Sequence, residues 1–215
     1  MELELQRLSI MVMDQSLTDQ QFTEEILFLK EFPVRSIFVL PYNVPRAKQL
    51  LTGTMIQVGS FVDFPLSGGT LAKKAFETGQ LYRDGASDVF VTMVPEQLKS
   101  YENHSYQALE QLSFGRNALG FFLDSSHLTN DQKQGLTMKI AETSISAISL
   151  GVDLTMEQAI YDMSIFRTVR KKQMTFQVNV KAPTLLEIEL LFQAGASYIG
   201  ISNGREILPL ISKWN

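Results

Sequence analysis

Short apolar runs alternate with longer amphipathic stretches along almost the whole chain, and no other feature restricts the fold so strongly. The strand-like runs are Leu8 to Met13, Val34 to Leu40, Met55 to Phe61, Asp88 to Val94, Ala118 to Leu123, Ile145 to Leu150, Thr175 to Val180 and Tyr198 to Ile201. Several are apolar at consecutive positions, which suits strands covered on both faces. The intervening stretches carry helix signals. Thr18-Asp19-Gln20-Gln21 has capping-box spacing and places Phe22, Ile26 and Leu29 on one face. Thr129-Asn130-Asp131-Gln132 repeats the device, and Thr155-Met156-Glu157-Gln158 resembles it. Pro45 suits a helix start and Gly53 its end. Strands alternating with helices predict a parallel sheet in the α/β class. A chain of 215 residues fits a compact (β/α)8 TIM barrel, with an open doubly wound sheet as the competitor. No G-x-G-x-x-G follows the first strand and no phosphate-loop motif occurs, which weakens that competitor.

Composition narrows the function classes. Hydrophobic residues make up 45% and charged residues 20%, an ordinary globular balance that predicts one domain over residues 1–215. The net charge of -4 offers no basic footprint for nucleic acid. No apolar run reaches the roughly 18 residues that a membrane span needs. The start Met1-Glu2-Leu3-Glu4-Leu5 is unlike a basic signal peptide, so a cytoplasmic protein is expected. With no cysteine and only His104 and His127, thiolate chemistry and a histidine-rich metal centre are excluded; no cofactor is predicted. Trp214 is read as a packing residue. A homo-oligomer is left open.

Candidate chemistry collects where barrel enzymes keep it, at the C-terminal tips of strands. Lys181 ends the run Phe176-Gln177-Val178-Asn179-Val180 and is followed by Pro183 and a helix-opening Thr184. A lysine desolvated in a barrel mouth has its charged form disfavoured and becomes a usable nucleophile or acid. The competing reading is a side chain that snorkels to solvent. Asp63 and Asp124 end the third and fifth strands and would point into the same mouth, as an acid-base set with Lys181, as a site for a cation, or as a lysine-carboxylate bridge closing the barrel top. His127 reads as a helix-cap neighbour. Gly200-Ile201-Ser202-Asn203-Gly204 has the small-residue form that binds phosphate at a helix N-terminus, with Ser202, Asn203 and Gly204 as donors. Ser149 and Gly151 could add to it from strand six. Glu206 opposes an anion there, and the charge of Arg205 works against that opposition.

Several strings, in order, resemble deoxyribose-phosphate aldolases, a class I aldolase family on this barrel. Val44-Pro45-Arg46-Ala47-Lys48-Gln49-Leu50-Leu51 resembles the segment after that family's second strand. Phe64-Pro65-Leu66-Ser67-Gly68-Gly69-Thr70, with Lys74, resembles its F-P-L-G-x-x-T-x-x-x-K stretch. Asp84-Gly85-Ala86-Ser87-Asp88 resembles its D-G-A-D-E, and Leu128-Thr129 with Lys133 resembles its L-T-x-E-x-K. Val178-Asn179-Val180-Lys181-Ala182 resembles its V-x-V-K-A, and Ala194-Gly195-Ala196 through Gly204 resembles its closing A-G-A-x-x-x-G-T-S-x-G.

The resemblance implies that most of the imine machinery is missing. The family's Schiff-base lysine lies on strand six in V-K-T-S-T-G, where this chain has Ser146-Ala147-Ile148-Ser149-Leu150-Gly151. Its strand-four aspartate falls on Phe90, and the asparagine after its second strand falls on Leu40. Only the strand-seven lysine is kept, as Lys181. Phe90, Leu40 and Met93 would fill a formerly polar cavity. Two expectations follow. One is a relative with lost or altered activity that binds a small phosphorylated sugar, an aldehyde or another carbonyl compound. The other is an active carbon-carbon lyase, cleaving a sugar phosphate such as deoxyribose 5-phosphate through Lys181.

Overall fold

The computed structural model describes residues 5–100, 109, 111, 119–142, 146–169 and 174–212. Met1 to Glu4, His104, Ala118, Ser144, Ile145 and Trp214 lie outside the described residues. The eight strands are β1 (Leu8–Val12), β2 (Ser36–Val39), β3 (Gln57–Val62), β4 (Asp88–Thr92), β5 (Leu119–Leu123), β6 (Ala147–Leu154), β7 (Thr175–Val180) and β8 (Tyr198–Ile201). All neighbours pair in parallel, and β8 returns to β1, closing the barrel in sequence order. The expected (β/α)8 architecture is therefore present, and the doubly wound alternative is not.

Among the described residues the helices are α1 (Asp19–Leu29), α2 (Val44–Leu50), α3 (Leu71–Asp84), α4 (Pro95–Ser100), α5 (Asn130–Glu142), α6 (Met156–Phe166), α7 (Leu185–Ala194) and α8 (Gly204–Ser212). The capping boxes at Thr18 and Thr155 form, and Thr184 makes another with Glu187. At Thr129 both arms also close, through Gln132. The caps are legible because their partners lie three residues away.

Alternation along the strands divides the core. One set, including Leu8, Ile10, Ile37, Val39, Val58, Val89, Val91, Ile148, Val178 and Ile199, packs outward beneath the helices. The opposite set fills the barrel. There Met11, Phe38, Phe61, Phe90, Phe122 and Ala147 form a separate cluster, with Met13 and Phe64 packed against it. Met93 belongs to the outward layer, so the expectation that it fills the cavity is corrected; it follows Thr92, whose hydroxyl points back to Val62 O.

At the N-terminal end of the barrel, Arg35 donates two hydrogen bonds to Asp88, at 2.5 and 2.9 Å, and its guanidinium lies 4.0 Å from the Tyr198 ring centroid. Burial pushes the Asp88 carboxyl up, and Arg35 opposes that shift. A second buried pair, Lys133 with Asp162 at 2.6 Å, ties α5 to α6. No helix among the described residues is long and apolar enough to cross a membrane.

Candidate functional site

Four phenylalanines meet inside the barrel because of strand register. Phe61 of β3 is opposite Phe90 of β4, and Phe38 of β2 is opposite Gly59 of β3. Phe90 is in turn opposite Gly120 of β5. The glycines make the rings fit. A Cβ at Gly59 would sit 2.6 Å from the Phe38 ring, and one at Gly120 would collide with the Phe90 ring. Phe38 and Phe61 have centroids 5.1 Å apart, and Phe61 meets Phe122 edge-on at 5.0 Å. Ala147 completes the layer. An aromatic plug thus occupies the level of Phe90 and Ala147. Leu40 is only half-buried, so of the residues expected to fill the interior Phe90 alone belongs to the plug.

Above the plug, at the C-terminal mouth, opens a cavity of about 650 Å³. Its apolar part comes from Met11, Met13, Phe61, Phe64 and Phe122. Its polar rim comes from Asp14, Gln21, Glu24, Glu25, Asp153, Asn179, Ser202 and Arg205. Asn179 is held rigidly: its amide donates to Ser149 Oγ at 2.9 Å, Leu150 O at 3.1 Å and Gly151 O at 2.9 Å, and its oxygen accepts from Gln177. β6 departs from regular pairing between Leu150 and Leu154, with Gly151 at φ 67° and Asp153 at φ 48°. That irregular turn brings Val152 and Asp153 to the cavity wall.

The residues proposed from sequence as a catalytic set are not brought together around this cavity. Asp63 follows β3 in a left-handed conformation, φ 59°, and its carboxylate is buried in the β3–α3 loop. It accepts from Lys73 Nζ and Gly69 N, both at 2.6 Å, with Lys74 Nζ at 3.6 Å. Burial pushes this carboxyl up, but those hydrogen bonds and the two lysine charges outweigh it and hold it below the ordinary carboxylate range. Lys74, pushed down by burial, also donates to Ser67 O, Thr92 O and Gln97 Oε1. Asp124 is exposed and caps the short helix Ser125–His127, accepting from Ser126 N and Oγ. His127 is exposed at the end of that turn. Lys181 is exposed, and its carbonyl accepts from Asn203 N at 2.9 Å; its side chain does not line the cavity.

The phosphate-site residues are adjacent, but their donors face carboxylates. Ser202 Oγ donates to Asp153 Oδ1 at 2.5 Å, and Asn203 Nδ2 donates to Glu206 Oε2 at 2.6 Å. Gly204 is buried against Ile10, where a Cβ would come within 2.5 Å of a methyl group. Ser149 is fully buried beneath Asn179, whereas Gly151 lines the cavity. Arg205 pairs with Glu25 at 2.5 Å, and its guanidinium lies 4.4 Å from the Phe28 ring centroid. Among the described residues no group of three or more histidines and carboxylates is arranged to hold a metal ion. Sequence reasoning missed Asp14, Glu24, Glu25 and Asp153. The only local signal was Gly151, a glycine interrupting a strand.

No family model matches the chain. It is 21% identical over 189 residues to the deoxyribose-phosphate aldolase of Dictyoglomus turgidum, covering 86% of each protein. It is 28% identical over 192 residues to the deoxyribose-phosphate aldolase of Macrococcus caseolyticus, covering 83% of each. Among solved structures, QR15, an aldolase, superposes with a TM-score of 0.83 at 17% identity, over 97% of this chain and 95% of that one. The tetrameric deoxyribose phosphate aldolase from Aeropyrum pernix gives a TM-score of 0.80 at 13% identity, over 98% and 92%.

Proposed function

We propose that this chain, a divergent relative of the deoxyribose-phosphate aldolases, binds a small carbonyl or sugar-like molecule in its mouth cavity and has given up imine chemistry there. One observation carries this reading: phenylalanine and methionine form the floor of the cavity, and among the described residues no lysine lines it. Imine formation needs a neutral amine within reach of the bound carbonyl, with an acid and a base to move protons. Among the described residues Arg205 is the one cationic side chain in the lining, and a guanidinium stays protonated. The cavity size and its mixed apolar and polar lining suit a small organic ligand. Of the two ligand forms expected from sequence, the unphosphorylated one is favoured, because Asp153 and Glu206 already occupy the side-chain donors of Ser202 and Asn203. Asp63, Asp124 and Lys181 act in this reading as structural or surface residues.

The test is borohydride trapping with a panel of small aldehydes and ketones that includes deoxyribose 5-phosphate, followed by mass mapping. The expected result is no adduct, with thermal stabilisation by some member of the panel. An adduct on Lys181 that Lys181→Leu abolishes would instead establish an active lyase using the strand-seven amine.

A further inference from the structure

The mouth cavity pairs two features that sugar-phosphate binding does not ask for. Three phenyl rings, Phe61, Phe64 and Phe122, line it together with two thioethers. Phe122 meets both other rings edge-on, at 70° and 79°, while Phe61 and Phe64 lie 34° apart. Among the described residues four carboxylates stand around these rings, from Asp14, Glu24, Glu25 and Asp153, against the single guanidinium of Arg205. That guanidinium is already committed to Glu25 and to the Phe28 ring. Among the described residues the remaining carboxylates have neutral hydrogen-bond partners: Ser16 for Asp14, Gln20 for Glu24 and Ser202 for Asp153. Their negative charge therefore stays at the opening.

Resting on the ligand-binding reading above, we infer that the ligand of this cavity is an organic ammonium ion: an amine-bearing molecule with a compact hydrocarbon or sugar-like body. Aromatic rings attract a cation through their quadrupole, most strongly where water is displaced. A carboxylate rim adds attraction for the same charge and repels phosphate. A neutral ligand would gain from the phenyl and methionine floor and could donate hydroxyls to the rim, but would leave the charge of the rim unbalanced. A phosphate would meet three carboxylates that no cation among the described residues pairs with.

The experiment is titration calorimetry with choline, its uncharged isostere 3,3-dimethylbutan-1-ol, and deoxyribose 5-phosphate, on the folded full chain. Choline is expected to bind about tenfold more tightly than the alcohol, the order of magnitude of a partly desolvated cation–aromatic contact. Asp153→Asn tolerates the left-handed backbone and keeps a hydrogen-bond acceptor for Ser202. Together with Glu24→Gln it should weaken choline about fivefold while leaving the alcohol unchanged, and added salt should act in the same direction. Phe64→Leu keeps the apolar surface and should weaken choline alone. Equal binding of choline and the alcohol, or tighter binding of the phosphate, overturns the charge assignment while leaving a ligand-binding barrel. Failure of all three probes to bind overturns both.

Discussion

Two aspartates in this barrel share an unusual backbone conformation and otherwise differ in almost every respect. Asp63 follows β3 at φ 59° and Asp153 lies in the irregular end of β6 at φ 48°. Asp63 is buried beside two lysines and a backbone amide, so its charge is balanced within the loop. Asp153 is exposed, faces the mouth cavity and among the described residues has a serine hydroxyl as its hydrogen-bond partner. A carboxylate surrounded by cations organises a loop. One left with a neutral partner at a cavity wall is available to a ligand. Residue type and strand-end position made Asp63 look functional; the structure surrounds its carboxylate with Lys73, Lys74 and Gly69 N.

The largest effect expected from this contrast is the loss of Asp63. Asp63→Ala leaves the buried Lys74 ammonium without its carboxylate and should cost about 3 kcal/mol in urea unfolding. A loss as small as that of a surface substitution would break the contrast. Gly69→Ala comes next. Its Cβ would sit 2.8 Å from both Asp63 carboxylate oxygens, so about 1–2 kcal/mol should be lost as the loop shifts. Third is acid sensitivity. Because the folded Asp63 carboxyl is held below its unfolded value, its contribution is complete above the unfolded value, near pH 4, and is lost as pH falls through the folded one. Urea midpoints measured from neutral to acid pH should therefore fall less steeply in Asp63→Asn than in the parent chain. The smallest effect belongs to Asp153→Asn, which should change stability by less than about 0.5 kcal/mol, since the site is exposed and asparagine accepts a left-handed backbone. A stability loss there comparable to that of Asp63→Ala would make Asp153 a structural residue too.

The barrel was legible in the chain because its signals are local. β5, β7 and β8 end where their apolar runs end, and β2 is shorter than its run at both edges. β6 extends past the expected Leu150 to Leu154, because pairing with β7 resumes after the irregular turn at Leu154 and Val180. The site was much less legible. That strand six carries no amine could be read from Ala147 and Ser149, and that strand four carries a phenyl ring where the resemblance implies a carboxylate could be read from Phe90. Nothing local announced that Asp63 would turn into its own loop, because that depends on Lys73 and Lys74 ten and eleven residues later and on the φ of a single residue.

The sequence by itself determined the order of strands and helices, their caps and the absence of a strand-six amine. Those depend on apolar periodicity and on partners a few positions away. Only the tertiary structure decided what the mouth contains. The contacts that shape it join Asp153 to Ser202 across 49 residues and Arg205 to Glu25 across 180. Barrel closure also brings Phe38, Phe61, Phe90 and Phe122 from four strands into one layer. Such contacts depend on inter-strand register and ring closure, and both are properties of the assembled barrel.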